Sequence, residues 1–246
     1  MQSTIAIVMA GGKGTRMKSD LPKVLIEVQG RPMIEYVLDS LDGAGIQRKI
    51  VVVGYRADDV RRALRHRAGV EFAHQAEQLG TGHAVMVCRD LLAGREGPVF
   101  VTAGDMPMLQ SRSVKTLLAD YHRRPAACLL GTVYAEKPTG LGRIVRDARG
   151  EFARIVEEKD ATDDERRIRE VNMSYYVFRC PDLLEALDQI RPNNAQSEYY
   201  ITDCPGILKS AGKEVRALPI LQPCEALGVN NHYELAAVEA VLSASA

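Results

Sequence analysis

The segment Thr4–Lys23 (TIAIVMAGGKGTRMKSDLPK) ends an apolar run at Met9. It then sets Gly11, Gly12 and Gly14 among four cations (Lys13, Arg16, Lys18 and Lys23) against one acid, Asp20. Glycine lets a chain turn tightly and bring backbone N–H groups close to an oxyanion, while the cations offset its charge. A polyphosphate asks for both. The spacing is neither GxxxxGK[ST] nor GxGxxG, and the same composition also suits a Gly-rich turn with surface lysines. In a second stretch, Phe100–Pro107 (FVTAGDMP), Asp105 follows directly on an apolar strand. A carboxylate there stands at the ligand edge of a sheet, and Mg²⁺ is commonly held by one or two carboxylates plus substrate phosphates. The competing reading is an Asp opening a turn before proline.

A third stretch, Gln75–His83 (QAEQLGTGH), is polar and Gly-rich and precedes an apolar segment read as a helix over 84–92. Glutamines and a helix start can hydrogen-bond a base or a phosphate. His83 has no evident Ser or Asp partner in the sequence, so no catalytic triad is built on it, and a lone histidine at a helix start reads as structural. Glu157, Asn172 and Asn230 each close an apolar run (IVE, EVN, GVN), where a polar side chain either points into a cleft or caps a turn.

These residues need a scaffold. Apolar strands are expected at Ile5–Met9, Ile50–Val53, Val70–Ala73 and Val99–Thr102, between amphipathic helices marked by Met33, Ile34, Val37, Leu38, Leu41 and by Val114, Leu117, Leu118, Tyr121. Strands apolar throughout and alternating with helices predict an α/β fold. Its Rossmann-like, mostly parallel mixed sheet is covered by helices on both faces, with ligands beyond the strands' carboxyl ends. After Pro125 the strands Cys128–Tyr134, Arg143–Val145, Phe152–Val156 and Val171–Phe178 are linked by polar turns, and the charged run KDATDDERRIRE reads as a solvated loop. A helix opens at Pro181, and a last one carries Leu235, Val238 and Leu242. The expected organisation is one domain over 1–246, with a main part to about residue 125 and a smaller lobe after it.

Composition excludes several classes. The 32 basic and 32 acidic residues balance, and there is no Trp, so neither nucleic acid nor a membrane surface is an expected partner. The five cysteines at 88, 128, 180, 204 and 224 have no metal-ligand spacing and read as reduced core thiols of a cytoplasmic protein. No apolar run is long enough to span a bilayer, and the start lacks a signal peptide's features.

AGGKGTRMKSDLPKVL, QAEQLGTGHA, GDMPM, GLGRIVRD, IVEEKDAT, NNAQSEYYITD and GVNN together resemble the nucleotidyltransferase domain of the bacterial N-acetylglucosamine-1-phosphate uridylyltransferases. The resemblance implies a nucleotide-diphospho-sugar transferase-like fold, nucleotide-binding over about 1–125 and with a smaller sugar-binding lobe over about 126–246, and Mg²⁺-dependent transfer of UMP from UTP to N-acetylglucosamine-1-phosphate. It implies that Met9, Ala10, Gly11 and Gly12 line the nucleotide pocket, that Arg16 and Lys23 meet phosphates, and that Gln75, Gly80 and Thr81 read the uracil. Ala103 and Gly104 would lead to Asp105, which with Asn230 would hold Mg²⁺, while Gly142, Glu157, Asn172 and Asn230 would face the sugar. Met9-Ala10-Gly11 departs from the family's Leu-Ala-Ala, Ala103 stands for a common aromatic, and Asn172-Met173-Ser174 replaces Asn-Thr-Gly, which touches sugar identity more than catalysis. No left-handed β-helix or acetyl transfer is expected within these 246 residues. The alternatives are another sugar-1-phosphate or triphosphate, and a catalytically silent nucleotide-sugar sensor.

Overall fold

The structure, a computed structural model, describes residues 3–14, 17 and 19–244. Strand β1 (Ile5–Ala10) lies at its centre, parallel to β4 (Arg48–Val53) on one side and to β6 (Pro98–Ala103) on the other, and β5 (Val70–His74) continues the parallel set beyond β4. Side chains of a strand alternate between sheet faces. Ile5 and Ile7 therefore enter one apolar cluster, while Ala6, Val8 and Ala10 enter another on the opposite face. A strand buried on both faces favours apolar side chains at every position, which is why β1 reads as an unbroken apolar run.

The second cluster is closed by α1 (Met33–Gly43) and α5 (Ser111–Arg123), whose Val37, Leu38, Leu41, Val114 and Leu117 are buried. A short hairpin, β2 (Glu27–Val28) with β3 (Arg31–Pro32), leads into α1, and α2 (Ala57–Leu64) covers β4 and β5. Each fully buried Val, Leu or Ile side chain stabilises the fold by about 1.5–3 kcal/mol, so the two faces hold the sheet rigidly beneath its loops.

The mixed region follows. β7 (Cys128–Tyr134), β8 (Gly142–Arg146), β9 (Phe152–Val156), β10 (Glu170–Arg179) and β11 (Val215–Leu218) complete a sheet ordered β11-β7-β10-β6-β1-β4-β5, with β8 paired to β10 and β9. β10 is antiparallel to both β6 and β7, so the two halves of the chain share one sheet. A bulge between Asn172 and Tyr175 bends it and lets its first residues pair with β8 as well. Among the described residues there is no left-handed β-helix, and no helix is long and apolar enough to cross a membrane. The five cysteines are free; four are buried, and burial pushes the Cys88 thiol up to about 12.

Two expectations change. The helix predicted over 84–92 is two, α3 (Thr81–Met86) and α4 (Arg89–Leu92). The Cys88 amide bonds the Val85 carbonyl three residues back at 3.0 Å. This tighter turn keeps Val85, Cys88 and Leu92 all facing the core. The charged run is not a plain loop either, because it contains α6 (Asp163–Arg166). Thr162 and Glu165 form a reciprocal capping box, with the Thr162 amide 2.8 Å from Glu165 Oε2, and the pattern T-x-x-E was the available signal. Helices α7 (Cys180–Leu187), α8 (Asp203–Ser210) and α9 (His232–Ala244) complete the chain.

Candidate active-site cleft

β1 and β6 end side by side, and the Gly104 amide donates to the Met9 carbonyl at 2.9 Å. From there the Gly-rich loop folds back: the Lys23 amide donates to the Gly12 carbonyl at 3.3 Å, and the Tyr55 amide to the Gly11 carbonyl at 3.0 Å. Gly14 has φ +67°, and a Cβ on it would lie 2.7 Å from Lys23 Cβ. Only glycine lets the loop close over the lysine in this way. The result is a cavity of about 280 Å³ lined by Met9, Ala10, Gly11, Gly12, Lys23, Gln75, Gly80, Thr81, Ala103 and Asp105. Gly104 is packed behind that wall, where a Cβ would meet Val24 at 3.1 Å. Arg16 lies outside the described residues.

Lys23 joins distant parts of the chain. Its Nζ donates to Asp105 Oδ2 at 2.5 Å and to Asn230 Oδ1 at 2.8 Å, across 82 and 207 residues. Asn230 is aimed by Glu234 at the start of α9, which accepts from both the Asn230 amide (2.7 Å) and its Nδ2 (3.0 Å), leaving Oδ1 toward the lysine. A carboxylate and an amide oxygen converging on one ammonium form a hard-oxygen pair that also suits Mg²⁺. Among the described residues no cluster of three or more His, Cys, Asp or Glu could hold a metal alone, so a divalent ion here would need substrate oxygens to complete its shell.

On the other flank, Gln75 Nε2 donates to the Gly80 carbonyl at 3.1 Å. Gly80 has φ +110°, and a Cβ there would fall 2.5 Å from the Tyr199 carbonyl oxygen. Gly80→Ala is therefore expected to destabilise the fold by about 1–3 kcal/mol through backbone strain alone; a denaturation midpoint equal to that of the unaltered protein would contradict it. Thr81 Oγ1 accepts from the Ile201 amide at 3.1 Å and ties α3 to the loop before α8.

Gly142, Asn172 and Glu157 also meet. Gly142 is the register partner of Asn172, and a Cβ on it would stand 3.6 Å from both Asn172 Cβ and Glu157 Oε2. Thr202 Oγ1 donates to Glu157 Oε1 at 2.9 Å, and Asn172 Nδ2 donates to the Tyr176 hydroxyl at 2.7 Å. Burial drives the Glu157 carboxyl above its ordinary range; the Thr202 hydrogen bond opposes the rise, while Asp160 and Asp203 add to it. Glu157 lines a second cavity of about 170 Å³ with Asp160, Tyr200 and Asp203. Asn230 is not in this group but on the Lys23 side. A larger groove of about 670 Å³ beside α8 is lined by none of the residues given a site role from the sequence, although Asn193, Thr202 and Asp203 of NNAQSEYYITD border it.

Sequence reasoning did not single out Glu198, Gln78 and Val24, which line the first cavity; Ser174, noted only as a departure from the family's glycine, lines it too. Gln78 and Glu198 lie inside stretches already notable, QAEQLGTGHA and NNAQSEYYITD. Ser174 sits in the β10 bulge at φ +57°, and nothing in its local sequence announces that.

The MobA-like NTP transferase domain family matches residues 6–195. The bifunctional protein GlmU of Streptococcus suis is 44 % identical over 242 residues, covering 98 % of this chain and 52 % of its own. The bifunctional protein GlmU of Enterococcus faecalis is 43 % identical over 243 residues with the same coverage. The chain thus spans about half the length of the curated relatives it matches. A solved UDP-glucose pyrophosphorylase complexed with UDP-glucose superposes over 100 % of both chains with a TM-score of 0.78 at 16 % identity, a likeness of fold. With a mostly parallel sheet, a glycine-rich loop at its edge and a match across most of its length, the chain belongs to the MobA-like NTP transferase domain family.

Proposed function

We propose that the cleft transfers UMP from UTP to N-acetylglucosamine-1-phosphate, releasing pyrophosphate. The observation that carries this reading is the convergence of Lys23, Asp105 and Asn230 beside a glycine-walled cavity; Gly142, Asn172 and Glu157 form a group of their own, with Glu157 on a second cavity. The resemblance of the quoted motifs to the N-acetylglucosamine-1-phosphate uridylyltransferases supports the choice of substrates.

A phosphate oxygen of the sugar-1-phosphate attacks the α-phosphorus of the triphosphate, a new O–P bond forms, and the bond to the β-phosphate oxygen breaks. The attacking oxygen is already anionic, so no side chain need remove a proton. The protein must instead align two anions that repel each other and offset charge on the departing pyrophosphate. Gly11 and Gly12 present backbone to the triphosphate without steric obstruction, and the Lys23 ammonium offsets its charge. Arg16 is assigned to the phosphates on sequence grounds alone. Asp105 and Asn230 would hold Mg²⁺, which when bound would supply further charge neutralisation at the phosphates. Glu157, with Asn172 and Gly142 beside it, receives the sugar and can accept hydrogen bonds from its hydroxyls.

A panel measuring pyrophosphate release, crossing four triphosphates with several sugar-1-phosphates with and without Mg²⁺, tests the reading. Release in no combination would leave the silent sensor in its place. A different sugar-1-phosphate is favoured by one observation, the Ser174 side chain lining the cavity at a backbone angle that suits glycine, and the same panel decides it.

Glu157→Gln separates substrate use from stability. Losing a charged acceptor is expected to raise the KM for the sugar-phosphate about 10–100-fold with the KM for UTP little changed; equal losses for both substrates would remove Glu157 from the sugar site. Its folded-state carboxyl titrates above the ordinary 4.5. The unfolded chain therefore releases this proton first, and the carboxylate costs stability once pH rises above that value, fully above the raised one. The Gln variant should melt higher at about pH 8, with the gain gone by about pH 4.

A further inference from the structure

Gln75 is 3 % exposed, yet it lines the cleft cavity. Its Nε2 carries two protons and faces two acceptors, the Gly80 carbonyl at 3.1 Å and His83 Nδ1 at 3.2 Å. A carbonyl oxygen can only accept, so Gly80 decides which end of the carboxamide is nitrogen. The second proton then needs a lone pair, which His83 supplies from Nδ1 as the neutral ring with its own proton on Nε2. With both protons engaged, Oε1 is turned to the Gly11 side of the cavity, where a Cβ on Gly11 would lie only 2.7 Å away. Among the described residues no donor reaches Oε1, and it is not one of the sealed polar atoms lacking a partner. An acceptor held open in a nucleotide cavity selects for a donor.

Taking the cleft as the uridine-nucleotide site proposed above, we propose that His83 is a positioning residue that sets nucleobase selectivity through Gln75. By accepting from Nε2 it holds the carboxamide with its oxygen toward the cavity. The site then takes a pyrimidine whose N3 carries hydrogen and rejects cytosine, whose N3 is an acceptor. Flipping the amide to suit cytosine would set Oε1 against the Gly80 carbonyl oxygen and leave His83 Nδ1 without its donor. Sites that leave a polar group unpaired discriminate far better than sites that exclude bulk.

The test titrates the full chain with UTP and CTP by calorimetry, alongside pyrophosphate release, for the unaltered protein, His83→Leu and His83→Asn. The unaltered protein should prefer UTP. His83→Leu should lower the UTP-to-CTP affinity ratio by about 10-fold or more, one hydrogen-bonded lock of two being lost. His83→Asn, whose Oδ1 can accept where Nδ1 did, should keep the ratio within about 3-fold, a difference below 1 kcal/mol. If His83→Leu melts early, His83→Phe supplies the same loss of lone pair in a ring of similar bulk. A merely structural histidine would weaken both nucleotides equally; an unchanged ratio in the Leu or Phe variant overturns the proposal, as does failure of Asn to restore it. The transferase reading fails separately: no pyrophosphate release with any sugar-phosphate, while the binding ratio still responds to His83, would sink the reaction and sustain the positioning role. Binding of neither triphosphate would overturn both.

Discussion

Asp105→Ala is expected to lower kcat for pyrophosphate release about 10³-fold or more with Mg²⁺ present, the scale seen when a preorganised charge at the reacting group is removed. The carboxylate stands directly after β6, where the rigid parallel strands end, and takes the Lys23 ammonium at 2.5 Å. Its side chain is 23 % exposed, so losing this ion pair should cost stability no more than about 1 kcal/mol. The variant should therefore melt close to the unaltered protein while failing to turn over. Asp105→Asn sharpens the test by keeping shape and one acceptor oxygen but losing charge. Comparable inactivity is expected; a rate near that of the unaltered enzyme in Asn would show that the charge at this position is not used.

The parallel half of the fold was legible because burial on both faces makes β1 and the Ile50–Val53 part of β4 short apolar runs, too brief for a typical helix. The antiparallel half was legible as strands, but its long partner β10 was not legible as the link between halves, since register depends on contacts far apart in sequence. The site divides the same way. Local composition pointed to Gly11, Gly12, Lys23 and Asp105 as oxyanion and cation chemistry, yet nothing local says that Asn230 comes to the same ammonium across 207 residues. Only the resemblance placed it there. Thr202 beneath Glu157 and Gln75 against His83 are likewise pairings of the fold, not of the sequence. Ser174 was noticed as a departure from glycine, while its positive φ and its place on the cavity wall came from the bulge. The break at Cys88 was hidden because its residues suit a continuous helix, and the tighter turn there, with the Cys88 amide on the Val85 carbonyl, is visible only in the fold.

Lys23→Met is expected to lower turnover on the scale of Asp105→Ala, about 10³-fold, but to move metal affinity the opposite way. The ammonium now occupies both oxygens that the proposed cation site offers, at 2.5 Å from Asp105 and 2.8 Å from Asn230. Two cations on the same pair of oxygens repel by several kcal/mol at such separations, even at the effective dielectric of a protein surface, about 20. In the free protein the lysine and a divalent ion should therefore compete. Methionine keeps the length and apolar stem of the side chain and removes the charge, so the Gly14 loop can still close over it. Mn²⁺, titrated into the nucleotide-free protein and followed by electron paramagnetic resonance, should bind Lys23→Met more tightly than the unaltered chain and Asp105→Ala more weakly. The opposed shifts matter because both variants are inactive, and activity alone could not tell a metal ligand from the charge that competes with the metal. Weaker Mn²⁺ binding in Lys23→Met would mean that the lysine organises the two oxygens for the ion and does not stand in its place. Unchanged binding in both variants would place the divalent ion elsewhere and leave Lys23, Asp105 and Asn230 as a structural clasp.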